Sequence, residues 1–312
     1  MVKTVTVGSA SAAPGEKATG FLKAAEFNDG SPINVPVIVV NGSKEGPSLW
    51  IECCIHGNEV AGPYALLKTI QGLDPKNMNG TLIGVPALNI TAFWTNGRIP
   101  IFDTKDLNRI MPGDPDGSFA EQYASAIYKA VKANADHLVD VHWAGKVDWA
   151  LYNAEVKIAE KCSQLAKASA FEVIVSDGHG GILNGALFNV VAREGISSVI
   201  LESKDRQKIH VAYTNILKHL GMIDGRPVEA KSQKMYKGFA WREVVIKRGG
   251  LFHPKIEEGG EVSKGDVLGV VTNIFGEEVA KVTCPVNGLV MLSPGYVPVK
   301  TGDTPFEIAI EA

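Results

Sequence analysis

Four separated segments of the chain carry residues that could do chemistry together. They are His56-Gly57-Asn58-Glu59, Asp106-Leu107-Asn108-Arg109, Asp140-Val141-His142 and Glu202. His56 and Glu59 stand three residues apart, so both side chains can reach one ion where a strand turns into a helix, and His142 can complete a set of three ligands. Zinc held by two histidines and a glutamate keeps a fourth position open for water, which is typical of catalytic sites. The segments therefore predict a catalytic zinc site with one ion per chain.

Each segment taken alone has an ordinary structural explanation. A His-x-x-Glu pair is a weak motif, Asn108-Arg109 would suit a surface turn, and a histidine that closes an apolar strand is commonly a hydrogen-bonded core residue. The context favours a site, because three apolar segments end directly at His56, His142 and Glu202. In open α/β sheets the site lies beyond the carboxyl ends of the strands.

From about residue 48 onward, apolar runs typical of strands alternate with segments of helical periodicity. We predict helices at 60–71, 120–135, 155–169 and 207–220, and strands at 49–55, 137–141, 171–175 and 198–201. Residues 1–45 are read as short strands, and the Gly-, Pro- and Asp-rich segment 89–118 as a functional loop region. This alternation predicts an α/β fold with a mixed central sheet flanked by helices, in a catalytic domain of residues 1–230.

The tail, residues 236–312, is predicted to be an all-β accessory domain with a weak internal repeat. Gly250-Leu251 is followed by a Gly-Asp turn at 262–266, and Gly288-Leu289 by a similar turn at 299–303. Two such halves suggest a flattened barrel that looks like a lipoyl/biotinyl-type domain. The segment between the halves, residues 273–278, has no lysine to carry a prosthetic group. We therefore expect a lid or a homo-oligomerisation module rather than a carrier.

Composition excludes several classes of partner. The net charge of -3 over 312 residues gives no basic face for nucleic acid or for an anionic membrane, and no signal peptide is visible at the start. None of the four cysteines forms a CxxC pair. The adjacent Cys53 and Cys54 are expected to be small buried hydrophobes rather than ligands or nucleophiles. A soluble protein of the reducing cytoplasm fits these features best.

The chain resembles the succinylglutamate desuccinylase/aspartoacylase family, a branch of the zinc carboxypeptidase-like hydrolases. Its HGNE, DLNR and DVH segments match that family's HGxE, DLNR and DLH motifs in order and approximate spacing, and the resemblance covers nearly the whole chain. It implies zinc bound by His56, Glu59 and His142, with Glu202 handling the proton of the attacking water.

By the same resemblance, Asn108 and Arg109 would hold a substrate carboxylate, and Arg98 would contact the oxyanion or the substrate. The chain departs from the family at two places beside the pocket. Trp143-Ala144 stands where the family usually has Thr-Gly after the second histidine, and Ser203 stands where a glycine often follows the catalytic glutamate. Because both departures lie at the pocket wall, they affect the expected identity of the substrate more than the expected binding of the metal.

We therefore expect a zinc-dependent amidohydrolase that removes the acyl group from a small N-acyl amino acid or a related carboxylate-bearing amide. A zinc metallocarboxypeptidase acting on short peptides is the alternative, and a non-catalytic binding protein is a third. A serine hydrolase finds no support, because the chain has no GxSxG elbow. The segment 177–181 and the side chains of Trp143 and Trp149 could each line the pocket or serve only as a turn and as core.

Overall fold

The computed structural model describes residues 2–143, 145–177, 183–240 and 243–311. The helices in this part of the chain are Ala61–Gly72 (α1), Ile90–Trp94 (α2), Phe119–Asn134 (α3), Ala159–Ala168 (α4), Leu187–Arg193 (α5) and Arg206–His219 (α6), with 3-10 turns at Pro75–Asn77 and Leu107–Arg109. None of the helices described is long and apolar enough to span a bilayer.

The strands fall into an N-terminal half and a C-terminal tail. The first ten are Val5–Val7 (β1), Ala10–Ala12 (β2), Glu16–Glu26 (β3), Pro32–Asn41 (β4), Lys44–Cys53 (β5), Asn79–Val85 (β6), His137–His142 (β7), Trp149–Asn153 (β8), Val173–Asp177 (β9) and Ser197–Glu202 (β10). The remaining eight are Lys234–Ala240 (β11), Gly250–Pro254 (β12), Glu261–Val262 (β13), Val267–Thr272 (β14), Glu278–Thr283 (β15), Gly288–Leu292 (β16), Val297–Val299 (β17) and Glu307–Glu311 (β18).

A twelve-stranded mixed sheet runs through the molecule, in the order β13-β16-β18-β11-β9-β8-β10-β7-β5-β6-β4-β3. Its central strands β10, β7 and β5 are parallel neighbours, and their near-continuous apolar sequence is typical of strands buried on both faces. Helices α3 and α5 contribute to the core on one face of the sheet, and α1, α4 and α6 to the core on the other. The prediction of a mixed sheet flanked by helices is confirmed.

Successive side chains of β5 contribute alternately to the two hydrophobic cores, one on each face of the sheet. Trp50 packs into the core with α3, whereas Leu49, Ile51 and Cys53 pack into the core with α1, because neighbouring side chains of a strand point to opposite faces. Helix α3 begins at a capping box in which the Glu121 carboxylate accepts a hydrogen bond from the Ser118 backbone amide at 2.8 Å.

Several local predictions need correction. The N-terminal strands β3 and β4 are long, with 11 and 10 residues, because each pairs with the other along nearly its whole length. The segment 89–118 contains α2 and a 3-10 turn, β9 begins two residues later than predicted, and α5 was not predicted at all. Six of its seven residues are buried, so they do not show the alternation of buried and exposed faces that marks an amphipathic helix.

The closed barrel predicted for the tail is not confirmed. Strands β15-β14-β12-β17 form an open antiparallel sheet, whereas β13, β16 and β18 continue the central sheet through the pairing of β18 with β11. The two sheets enclose a core of their own. The sequence repeat does correspond to repeated local structure: the Asp266 carboxylate accepts a hydrogen bond from the Ser263 amide, and Asp303 from the Lys300 amide, both at 2.8 Å.

Candidate metal centre

Three of the predicted site residues meet where β5 and β7 end. His142 is the last residue of β7, and His56 and Glu59 lie between the end of β5 and the start of α1. Cys53 of β5 pairs in parallel with Val141 of β7, so both strands deliver their carboxyl ends to the same edge of the sheet. All three side chains are buried, and one ligand atom from each lies within 4.8 Å of the others.

The backbone around His56 is unusual in two respects. Cys54 adopts a left-handed conformation with φ 56°, which turns the chain out of β5 and which side chains other than glycine adopt at a cost. A Cβ atom on Gly57 would lie 2.1 Å from the backbone carbon of Ala92, so only glycine fits beside α2. The backbone conformation at Cys54 and the close packing at Gly57 together fix the position of His56 beyond the end of β5.

The Nδ1 atoms of His56 and His142 both contact the carboxylate of Glu59. His56 Nδ1 lies 2.9 Å from Glu59 Oε1, and His142 Nδ1 lies 3.0 Å from Glu59 Oε2. Burial would raise the pKa of Glu59, but the two imidazoles outweigh burial and lower the pKa to about 2. Burial would lower the pKa of His142, but the carboxylates of Asp140 and Glu59 raise it well above its usual value. The cluster therefore favours an added positive charge.

The outer face of His56 tests whether these residues fit a metal. His56 Nε2 lies 3.2 Å from Asp106 Oδ1, and Nδ1 lies 2.9 Å from Glu59 Oε1. Both carboxylates only accept, and a neutral imidazole has a single N–H, so such a ring that donates to Asp106 would leave Nδ1 as an acceptor opposite the Glu59 oxygen. A cation between the two relieves this opposition. Two histidines and a glutamate, with a carboxylate behind each imidazole, are a donor set that suits zinc.

Asp140, part of the predicted motif but given no role from the sequence, is the carboxylate behind His142. His142 Nε2 lies 3.0 Å from Asp140 Oδ2, close enough for an ion pair although the two are not aligned as a hydrogen bond. Asp140 pairs across the sheet with Glu52, whose pKa is raised by burial and by Asp140 itself. The cost of two neighbouring buried carboxylates is typical of a functional site rather than of a core.

Asn108 contacts a proposed ligand. Its Nδ2 lies 3.2 Å from His142 Nε2, and its Oδ1 accepts a hydrogen bond from the Leu187 amide of α5 at 3.2 Å. Asp106 holds the local turn by accepting a hydrogen bond from the Asn108 amide at 2.9 Å. The Asn108 side chain is thus engaged on both sides, and its predicted contact with a substrate carboxylate stays a prediction.

The two arginines of the site differ in their partners. Arg98 Nη2 donates a hydrogen bond to Asp106 Oδ2 at 3.0 Å, and its Nη1 lies 3.8 Å from Glu59 Oε1. Arg109 Nη1 donates to the Asn108 carbonyl at 2.8 Å, and the guanidinium forms no ion pair with any described residue. Burial lowers the pKa of Arg109. Arg109 is therefore the arginine that is free to bind an anion.

Glu202 completes the predicted set. It is the last residue of β10 and pairs with His142 of β7, and it lines the same cavity of about 510 Å³ as the cluster and both arginines. Its carboxylate has no hydrogen-bond or ion-pair partner in the part of the chain that the structure describes. Burial raises the pKa of Glu202 to about 8. A carboxylate of this kind, beside a metal cluster, can accept a proton near neutral pH.

The residues that depart from the family motif touch one another on the cavity wall. The Lys204 ammonium lies 5.1 Å from the centre of the Trp143 ring, a cation–π distance, and both residues line the cavity. Trp149 also lines it and packs against Phe239. Residues 178–181, proposed from the sequence to line the pocket, lie outside the described residues. All four cysteines are buried and free.

Sequence reasoning expected the tail to act as a lid or an oligomerisation module, but it identified none of the tail residues that line the pocket. Glu258, Leu292 and Glu307 line the cavity together with the metal cluster, although they lie more than a hundred residues beyond His142. The signal that could have found them is weak: Glu307 opens an alternating strand, where a charged residue usually faces solvent. The tail is thus part of the pocket wall.

Comparison with known proteins places this geometry in a family. Residues 45–193 match the model of the succinylglutamate desuccinylase/aspartoacylase catalytic domain. The chain is 28% identical over 281 residues to N-alpha-acetyl-L-2,4-diaminobutyric acid deacetylase of Halomonas elongata, a match that covers 84% of this chain and 82% of the relative.

Two solved structures share the fold of this chain over nearly its full length. An aspartoacylase family protein from Mesorhizobium loti has a TM-score of 0.79 at 25% identity, over 96% of each chain. The product-bound ectoine utilization protein EutE (DoeB) of Ruegeria pomeroyi has a TM-score of 0.83 at 24% identity, over 99% of this chain and 98% of that one, and shows the shared fold. The resemblance in the motifs is confirmed, and residues 45–193 belong to the catalytic-domain family of succinylglutamate desuccinylase and aspartoacylase.

Proposed function

We propose that the protein is a zinc-dependent amidohydrolase that removes the acyl group from a small N-acyl amino acid or a related amide that carries a carboxylate. The observation that carries the proposal is the buried His56, Glu59 and His142 cluster, which shares one cavity with the unpaired Glu202 carboxylate and the unpaired Arg109 guanidinium. The deacetylase activity named for the Halomonas elongata relative supports it.

His56, Glu59 and His142 would hold the zinc. Bound zinc supplies a Lewis acid that lowers the pKa of water from 15.7 to roughly 7. Glu202 would accept the proton of the attacking water and pass it to the leaving amine, a role that suits a carboxylate whose pKa is raised by burial.

The two arginines would supply the positive charges that stabilise the reacting carbonyl oxygen and bind the substrate carboxylate. Arg98 keeps donors free beyond its contacts with Asp106 and Glu59, and would stabilise the negative charge that develops on the carbonyl oxygen, typically by a few kcal/mol. Arg109 would bind the substrate carboxylate with its planar fork of donors, with Asn108 beside it.

The tail would act as an accessory module for the catalytic domain of residues 1–230. Leu292 and Glu258 would narrow the pocket, because they line the same cavity as the catalytic residues. A cavity of about 510 Å³ is of the size that suits a small ligand such as an acylated amino acid. The boundary at 230–236, the oligomeric state and the cytoplasmic location stay predictions.

The substrate class is tested by a screen of the zinc-loaded full chain. We expect N-acetyl amino acids to be hydrolysed with a higher kcat/KM than dipeptides, with release of the free amine as the readout. The matched control is the same compound with its carboxylate replaced by a carboxamide, for which kcat/KM should fall about 10- to 100-fold, the effect of losing a hydrogen bond to a charged group. Cleavage of dipeptides alone would support the metallocarboxypeptidase instead.

Asp140 gives a second test that does not depend on substrate. Replacing a partner that lies behind a metal-bound histidine typically weakens metal affinity 10- to 100-fold. We therefore expect Asp140→Asn to lower zinc affinity by about that factor, as measured by competition with a chromogenic chelator. Asp224→Asn neutralises an exposed residue outside the cavity lining and serves as the control. An Asp140→Asn protein that binds zinc as tightly as the wild type would contradict the role.

A further inference from the structure

The tail places one free carboxylate in the catalytic cavity. Glu307 is the first residue of β18 and pairs with Leu292 of β16, so the register of these strands brings both to the cavity wall. The neighbouring Glu258 is already used: its carboxylate accepts hydrogen bonds from the backbone amides of Lys146 at 2.6 Å and Ser293 at 3.2 Å. Glu258 therefore ties the loop after β7 to the tail.

Glu307 has no such partner. Within the described residues, its carboxylate forms no hydrogen bond and no ion pair, although it is half-buried and faces the charges of Arg109 and Arg98. Among the other carboxylates near the arginines, Glu59 and Asp106 are held by imidazoles and by Arg98, and Glu202 is the proposed base. A half-buried charge without a partner costs free energy unless a ligand compensates it.

The cationic side chains that line the cavity can likewise be divided into those with a partner and one without. Arg98 pairs with Asp106, Lys146 pairs with Glu257 at 3.1 Å, and Lys204 lies over the ring of Trp143. Only Arg109, among the described cationic residues of the lining, lacks both an acidic partner and an aromatic one. Apart from Glu202, which the proposed function uses as the base, Glu307 is the described carboxylate of the cavity lining that lacks a partner, and it forms no ion pair with the unpaired Arg109.

We propose that Arg109 and Glu307 together select a substrate that carries both a carboxylate and a free ammonium group. This inference rests on the proposed function. In an N-acyl α-amino acid the α-nitrogen belongs to the amide and is neutral, so the ammonium must be a second amine on the side chain. The substrate class is then an N-acyl diamino acid, with Arg109 on its carboxylate and Glu307 on its side-chain ammonium.

The charge state of Glu307 is consistent with this role. Burial raises the pKa of Glu307 to about 7, and the two arginines partly oppose that rise. An ammonium at hydrogen-bond distance would favour the ionised form further. An assay at about pH 8.5 keeps the carboxylate ionised and an ordinary side-chain amine protonated.

The test compares substrates that differ only in the ammonium group. Nα-acetyl-2,4-diaminobutyrate is paired with N-acetylnorvaline, and Nα-acetylornithine with N-acetylnorleucine, because each pair exchanges an ammonium for a methyl group of similar size. We expect the zinc-loaded wild type to prefer the cationic member of at least one pair. Glu307→Gln should reduce that preference, as a ratio of kcat/KM values, about 10- to 100-fold, mainly through KM.

Binding of the deacylated product gives a second readout that does not require turnover. In calorimetric titration, the Kd of the free diamino acid should rise about 10- to 100-fold in Glu307→Gln. Glu311→Gln is the matched control, because Glu311 lies exposed on the same strand.

The outcomes separate this inference from the proposed function. An equal loss on cationic and neutral substrates would mean that Glu307 only positions Arg109, and would overturn the inference. So would a wild type that prefers the neutral member of both pairs. Failure to hydrolyse any N-acyl amino acid would instead contradict the proposed function, and the inference with it.

Discussion

Replacing Glu202 by glutamine is expected to lower kcat by at least about 100-fold, while zinc content and fold are retained. The amide has the size and shape of the carboxylate but cannot accept a proton, and general acid–base catalysis typically contributes 10²- to 10⁴-fold. Glu202 has no partner in the described structure whose loss would disturb folding. The measurement is kcat on an N-acetyl amino acid, with metal content determined on the same sample.

Glu194→Gln is the control for this variant. Glu194 follows α5 outside the catalytic cavity and pairs with Lys132 at 2.8 Å, and an exposed pair of this kind contributes little to stability. We expect its kcat to match the wild type. Turnover of Glu202→Gln within a few-fold of the wild type would assign the base to another residue.

The double change His56→Ala and His142→Ala is expected to remove zinc entirely and to abolish hydrolysis. It leaves only Glu59 of the three proposed ligands, and one carboxylate does not form a structural or catalytic zinc site. Elemental analysis after dialysis should find about one zinc per wild-type chain and none in the variant.

His137→Ala controls for loss of a histidine from the same strand. His137 stands at the start of β7, where its ring contacts Ser197 and not the cluster. Its variant should retain about one zinc per chain. Full zinc occupancy in the double variant would refute the ligand assignment.

The central part of the site could be predicted from the sequence because local and global signals coincide there. The apolar runs of β5, β7 and β10 each lead to a polar site residue at or just beyond the end of the strand, and parallel neighbours end at one edge of the sheet. The register of Glu202 with His142 is a direct consequence. Gly57 fits the same logic, because the motif requires a close approach to α2.

The position of the tail and the role of Glu307 could not be predicted, because they depend on contacts between distant parts of the chain. The pairing of β11 with β18 carries the tail into the central sheet, and nothing local to either strand specifies it, since strand preference depends on packing context. For the same reason Glu307 could not be assigned to the cavity: in its strand it stands at an alternating position that would equally suit solvent. Strand pairing, rather than residue type, decides its role.

We expect bound zinc to be required for hydrolysis of an N-acyl amino acid. The direct measurement is the rate of that hydrolysis while protein freed of metal by a chelator is titrated with zinc. We expect no activity before zinc is added, a linear rise in rate during the titration, and a plateau at about one zinc per chain. Full activity in the metal-free protein, or zinc binding at one equivalent without any hydrolysis of N-acyl amino acids, would contradict it.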